Sequence, residues 1–207
     1  MTRIAVMVSG GGTNLQAIID AMAEGKITNG EIVSVIASKA GVYALERAEK
    51  HGIPHCVFAK KDFASPEAME QALLSYLEEM QVDLIVLAGY LSVLSENITK
   101  KYANRIINVH PALIPSFCGK GYYGLHVHEK ALEYGVKVTG ATVHFVNEVV
   151  DGGAIILQKA VEIQPDDTPE TIQKRVMVEA EWQLLPQAID LFCNNRLKID
   201  GRKVVIL

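Results

Sequence analysis

Apolar residues run without a break through most of Arg3–Val8, and such a continuous run predicts a strand buried on both faces. Thr13–Ala23 switches to helical spacing, with Leu15, Ile18, Ile19 and Met22 on one face. Glu31–Ala37 then predicts a second strand, Tyr43–His51 a second helix and His55–Phe58 a short third strand. Ser65-Pro66-Glu67 supplies a cap and a first-turn proline for a helix reaching about Met80. Leu84–Leu87 follows as another wholly apolar strand. This alternation implies a parallel sheet with helices on both faces.

The second half changes rhythm. Ile106–His110 predicts a strand ending at Pro111, followed by a loop rich in Pro, Gly and aromatic residues up to Gly124. A helix is expected from about His128 to Tyr134, then a strand over Thr139–Val146 with Thr139, Ala141, Val143 and Phe145 on one face. Val150-Asp151-Gly152-Gly153 is a turn signal, and Ala154–Ile163 can pair antiparallel with the strand before it. A long helix starts at Thr168, where Thr168-Pro169-Glu170-Thr171 carries cap and first-turn chemistry. With no repeat or linker, the expectation is one α/β domain.

Composition narrows the partners. A formal charge of −4 and no long basic run argue against nucleic acid as the main partner. No apolar run reaches the 18 or so residues of a membrane span, the best candidate, Leu84–Leu94, being interrupted by Gly89 and Ser92. Only five apolar residues, Ile4–Val8, precede the first glycine run, too few for a signal peptide, so the expected location is the cytoplasm. Cys56, Cys118 and Cys193 are odd in number and widely spaced, which favours small apolar fillers over a disulfide framework or a zinc site.

Ser9-Gly10-Gly11-Gly12-Thr13-Asn14 joins the first strand to the first helix. Glycines let backbone approach a ligand, and a helix N-terminus offers free N–H groups and partial positive charge, so the turn suits a phosphate. Leu15 stands where G-x-G-x-x-G needs its third glycine, and no lysine follows as a P-loop requires. The alternative is a tight βα turn capped by Thr13 or Asn14.

Asn108 and His110 are two apart at the end of a strand, so they point to one side, at the place where open α/β sheets bind ligands. An amide and an imidazole there can form an oxyanion hole or pass protons to a leaving group. Asp151, in the later turn, can orient the imidazole, stabilise its cation or accept a proton from an attacking amine. The competing readings are a structural histidine beside proline and an aspartate that only forms a turn. His126-Val127-His128 lacks a third metal ligand and reads as loop packing near a helix start. His51 and His55 read as surface or turn residues, and His144 as a buried, satisfied hydrogen-bonder.

Four segments carry a resemblance: Val8-Ser9-Gly10-Gly11-Gly12-Thr13-Asn14-Leu15-Gln16, Leu87-Ala88-Gly89-Tyr90, Asn108-Val109-His110-Pro111-Ala112-Leu113-Ile114-Pro115, and Thr142-Val143-His144-Phe145 with Asp151-Gly152-Gly153. From the first strand to Leu197, the chain resembles the phosphoribosylglycinamide formyltransferases. The resemblance implies a Rossmann-like single domain over 1–207, with a mostly parallel sheet, an antiparallel C-terminal strand pair and helices on both faces. Residues 1–100 would form a phosphate-binding half and 101–207 a catalytic and folate-binding half. The implied reaction moves a formyl group from 10-formyltetrahydrofolate, a cosubstrate, to the amine of glycinamide ribonucleotide in purine biosynthesis, without a metal.

By the same resemblance Asn108, His110 and Asp151 are catalytic, with His110 protonated and held so by Asp151. Gly11, Gly12, Thr13, Asn14, Gly89 and Glu181 would bind the ribonucleotide, the turn taking its phosphate and Glu181 its ribose. Tyr90, Leu91, Ser92, Val93 and Leu94, with Asn147, Glu148, Val149 and Val150, would hold the folate. The chain departs from the family at Cys118, often proline, at Ser92, often arginine, and at Val178, often lysine, with Lys120, Lys174 or Arg175 as replacement cations. The implied partners are these two small molecules, with no nucleic acid and no membrane, in a monomer or homodimer. Three rivals are a formyltetrahydrofolate deformylase, disfavoured because the chain starts at the first sheet strand, a methionyl-tRNA formyltransferase, which needs a further tRNA-binding domain, and a non-catalytic nucleotide-binding module.

Overall fold

A computed structural model describes all 207 residues. The parallel half holds strands β1 (Thr2–Val8), β2 (Gly30–Ala37), β3 (His55–Val57) and β4 (Leu84–Leu87), alternating with helices α1 (Thr13–Ala23), α2 (Tyr43–Lys50) and α3 (Pro66–Glu79). Next come helix α4 (Glu96–Lys101), strand β5 (Ile106–His110), helix α5 (Leu125–Tyr134) and strands β6 (Val138–Phe145) and β7 (Ile155–Glu162). The chain finishes with helix α6 (Pro169–Val176), a π-helical turn over Met177–Glu181, helix α7 (Trp182–Cys193) and strands β8 (Leu197–Asp200) and β9 (Lys203–Ile206).

All nine strands form one sheet in the order β3-β2-β1-β4-β5-β6-β7-β9-β8. β3 to β5 are mutually parallel, while β6 runs antiparallel to both β5 and β7, the pairing with β7 being the one that the turn signal at 150–153 implies. The wholly apolar strands are explained by two cores. Ile4, Val6, Val8, Leu84, Val86, Ile107 and Val109 face α1, α6 and α7, while Ala5, Met7, Ile85, Leu87 and Ile106 face α3 and α4. Burial on both faces selects apolar side chains at odd and even positions alike.

Ser65 caps α3 by accepting from the Ala68 N–H at 3.1 Å, and Thr168 forms a reciprocal capping box with Thr171. Four features depart from expectation. α5 begins at Leu125, three residues before the anticipated His128, because Gly124 at φ 56° turns the chain straight into the helix. The short α4, capped by Ser95, carries too little periodicity to announce itself. The expected long helix after Thr168 is interrupted by the π turn, directly upstream of Pro186. Pro186 itself frees the Trp182 carbonyl, just past that turn. Finally, the β8–β9 hairpin extends the sheet beyond what the strand pattern led us to expect.

Candidate active site

β1 is flanked by β2 and β4, so the strand order reverses between β1 and β4, and their carboxyl ends open a crevice there. Ser9 stitches the two ends together. Its N–H donates to Gly89 O at 3.1 Å, and its hydroxyl accepts from the Leu91 N–H at 2.9 Å and from Ser38 at 2.7 Å. A Cβ at Gly10 or Gly11 would meet nothing within 4 Å, whereas one at Gly12, at φ 71°, would lie 2.7 Å from Ala44 Cβ. Gly12 is thus required by the close seat of α2, and its two predecessors leave their backbone open to approach. Neither Thr13 nor Asn14 caps α1. The capping position is Gly12, no side chain bonds the first-turn N–H groups, and no acidic residue stands in that turn. The helix end thus keeps its positive potential.

Asn108 sits level with Leu87 of β4 and with His144 of β6. Directly opposed residues on antiparallel strands share a face, so Asn108 and His144 meet. His144 Nδ1 lies 2.8 Å from the Phe145 carbonyl, to which it donates. Its Nε2 lies 3.2 Å from Asn108 Nδ2 and 3.5 Å from Asp151 Oδ1. That nitrogen accepts from Asn108 when bare and donates toward Asp151 when protonated. His110 donates from Nε2 to the Phe117 carbonyl at 2.8 Å, and its Nδ1 faces Asp151 Oδ2 at 3.6 Å. Asp151 Oδ2 also accepts the Gly119 N–H at 2.8 Å. Asp151 holds φ 55°, and two residues later Gly153 leaves no room for a side chain, since a Cβ there would sit 1.7 Å from the Phe145 carbonyl. Asp151 thus sits in a turn, as its turn-former reading has it, with its carboxylate facing both His110 and His144.

Burial pushes the His110 pKa below its ordinary value, against the opposing charge of Asp151 and the Phe117 carbonyl, with His144 adding to the depression. Loss of hydration thus outweighs the pull of one carboxylate at 3.6 Å. For Asp151 burial acts upward, but hydrogen bonding with His144, the charge of His110 and the Gly119 N–H together hold its carboxyl below the usual range.

Glu181, at the end of the π turn, is 5% exposed, and Asn14 Nδ2 donates to its Oε2 at 2.7 Å. The Asn14 side chain is therefore committed to Glu181, which leaves only its backbone for an anion at the turn. Burial pushes the Glu181 carboxyl up to about 7, the hydrogen bond from Asn14 opposing it. Because 7 lies above the value of 4.5 for a free glutamate, this group's contribution to stability is full below pH 4.5 and is lost as pH rises through about 7. The loss amounts to about 3 kcal/mol. Glu181→Gln is expected to remove that slope: urea unfolding at pH 5 and pH 8 would give stabilities closer together than in the unmodified chain.

The segments 90–94 and 147–150 leave β4 and β6 exposed, with Leu91, Val93, Val149 and Val150 all open to solvent. Burial raises the Tyr90 hydroxyl pKa against a hydrogen bond with Ser92. His126 and His128 lie inside the first turn of α5, not in a loop. His126 bonds Glu129 at 3.0 Å, while His128 is fully buried with both ring nitrogens unpartnered, and burial and His110 lower its pKa to about 4. Arg175 is taken by Asp167 through contacts of 2.5 and 2.7 Å. His144 is the residue that sequence reasoning left out of the site. The signal that could have found it is its register opposite Asn108.

These positions define a polar cluster at the ends of β5 and β6, two strand spacings (about 10 Å) from the glycine turn. The family model described as formyl transferase matches residues 2–189. The chain is 45% identical over 199 residues to the phosphoribosylglycinamide formyltransferase of Haemophilus influenzae, covering 96% of this chain and 91% of that protein. It is 44% identical over 194 residues to the trifunctional purine biosynthetic protein adenosine-3 of Drosophila melanogaster, covering 93% of this chain and 14% of that longer protein. A solved structure of glycinamide ribonucleotide transformylase 1 from Symbiobacterium toebii superposes with a TM-score of 0.93 at 44% identity, covering 100% of this chain and 94% of that one. The chain belongs to the phosphoribosylglycinamide formyltransferase family.

Proposed function

We propose that this protein transfers the formyl group of 10-formyltetrahydrofolate to the amine of glycinamide ribonucleotide. The observation that carries this reading is the cluster of Asn108, His110 and Asp151 beside the crevice that also holds an uncapped, glycine-led helix end. The turn Gly11–Asn14 takes the phosphate through backbone N–H groups, Glu181 takes ribose hydroxyls, and Gly89 lies where the two ligands meet. Residues 90–94 and 147–150 offer the folate an apolar rim on either side.

The Phe117 carbonyl fixes the His110 tautomer, leaving the bare Nδ1 as the base. As the amine attacks the formyl carbon, its nitrogen becomes acidic and the formyl oxygen gains negative charge. His110 takes the nitrogen's proton and the Asn108 N–H supports the oxyanion. The new imidazolium pairs with Asp151 and returns the proton to the departing folate nitrogen, closing the balance. His144 keeps the Asn108 amide aimed.

The test is incubation of the purified protein with 10-formyltetrahydrofolate, with and without glycinamide ribonucleotide, following both tetrahydrofolate and the formylated product. Turnover only with the ribonucleotide is expected. Release of formate in water alone would make the protein a deformylase, and no turnover in either mixture would leave a binding module.

A further inference from the structure

The glycine turn has a cationic neighbour on α2. Arg47 Nε donates to the Gly11 carbonyl at 2.8 Å and its Nη1 to Gln16 Oε1 at 2.9 Å. Both partners are uncharged, and Nη2 is left without a protein partner. The guanidinium stacks over the Tyr43 ring, 4.8 Å from its centroid, which fixes its plane. α2 itself is locked to the turn, the Ala44 N–H donating to Gly10 O at 3.2 Å and Ala44 packing on Gly12.

Arg47 stands in the last turn of α2, whose dipole favours a cation, and carries that charge to the N-terminus of α1, whose dipole opposes one. α1 offers no first-turn acid or capping oxygen to offset it. The side chains of Arg47, Thr13 and Gln16 line one end of a groove of about 620 Å³ that runs between α1 and α7 past Trp182 and Gln183. Its carboxylates, Asp20, Glu24 and Asp190, lie one or more turns farther down, with Asp20 bonded by Gln16 and Asp190 by Thr28.

We propose that Arg47 is a phosphate-binding residue, its guanidinium supplying the cationic side chain that grips the ribonucleotide's phosphate at the Gly10–Thr13 turn. The proposal rests on the substrate reading above. Tied to Gly11 and Gln16, the guanidinium is already oriented, and a planar donor fork suits phosphate oxygens better than a flexible ammonium does.

Arg47→Gln is expected to raise KM for glycinamide ribonucleotide by about 10- to 100-fold, the range of a lost charge-assisted hydrogen bond, with kcat and folate KM unchanged. Arg47→Lys should recover part of the loss. Against the dephosphorylated riboside, Arg47→Gln and the unmodified enzyme should be equal, an equality that a merely structural role would not produce. Calorimetry with inorganic phosphate gives an independent readout: the unmodified chain should bind it more tightly than Arg47→Gln does. Equal phosphate affinity and equal ribonucleotide KM in the two proteins would overturn the assignment. Weaker phosphate binding by Arg47→Gln, in a protein whose unmodified form shows no turnover, would uphold Arg47 and reject the reaction.

Discussion

His110→Ala is expected to lower kcat by about 100- to 10,000-fold, the range that general acid–base catalysis supplies, while KM for both substrates stays within a few-fold. The substitution removes a ring whose tautomer is fixed by the Phe117 carbonyl and whose free nitrogen faces a carboxylate. It touches neither the glycine turn nor Glu181, so steady-state kinetics with inorganic phosphate as competitor should show an unchanged inhibition constant. Turnover equal to that of the unmodified enzyme would remove His110 from the reaction. The pH dependence offers a second reading. A base must be neutral to act, so activity should fall on the acid side with a midpoint below the ordinary histidine value, because burial depresses His110.

Asp151→Asn should cost about 100- to 1,000-fold in kcat, comparable to losing one stabilising group aimed at transition-state charge. It should also move the acid limb. Asp151 raises the His110 pKa through its charge, so an uncharged amide leaves burial opposed only by the Phe117 carbonyl and the midpoint shifts to lower pH. A pH–rate profile of the variant checks the direction. An unchanged midpoint with reduced kcat would mean that Asp151 acts on the substrate without acting through His110.

Much of this was legible in the chain. Continuous apolar strands spaced by amphipathic helices fix a two-faced parallel sheet, and Asn108-x-His110 at a strand end marks a crevice because two residues on a strand share a side. Pairings between distant segments were not legible. The Asn14–Glu181 bond spans 167 residues, and nothing in Gly12-Thr13-Asn14 says that the asparagine amide turns to a helix instead of to a ligand. The pull of burial on His110 was illegible for a related reason: spacing reveals that a carboxylate is near, but only the fold reveals how little water is left. The β8–β9 hairpin did leave a signal in Gly201-Arg202, a Gly-x pair suited to a tight two-residue turn, and Gly201 adopts φ 58° there.

The wide turn at Met177–Glu181 sets the azimuth of everything after it. Each helical residue advances the side-chain direction by roughly 100°, so one residue fewer would rotate α7 by about a quarter of a circle relative to α6. Ile172 and Val176 could then keep their place in the core only if Leu185 and Ala188 lost theirs, and the Glu181 carboxylate would swing away from Asn14. Length in this short stretch is therefore more constrained than composition: many side chains fit at position 178, but a deletion there would put the two ends of one rod out of phase.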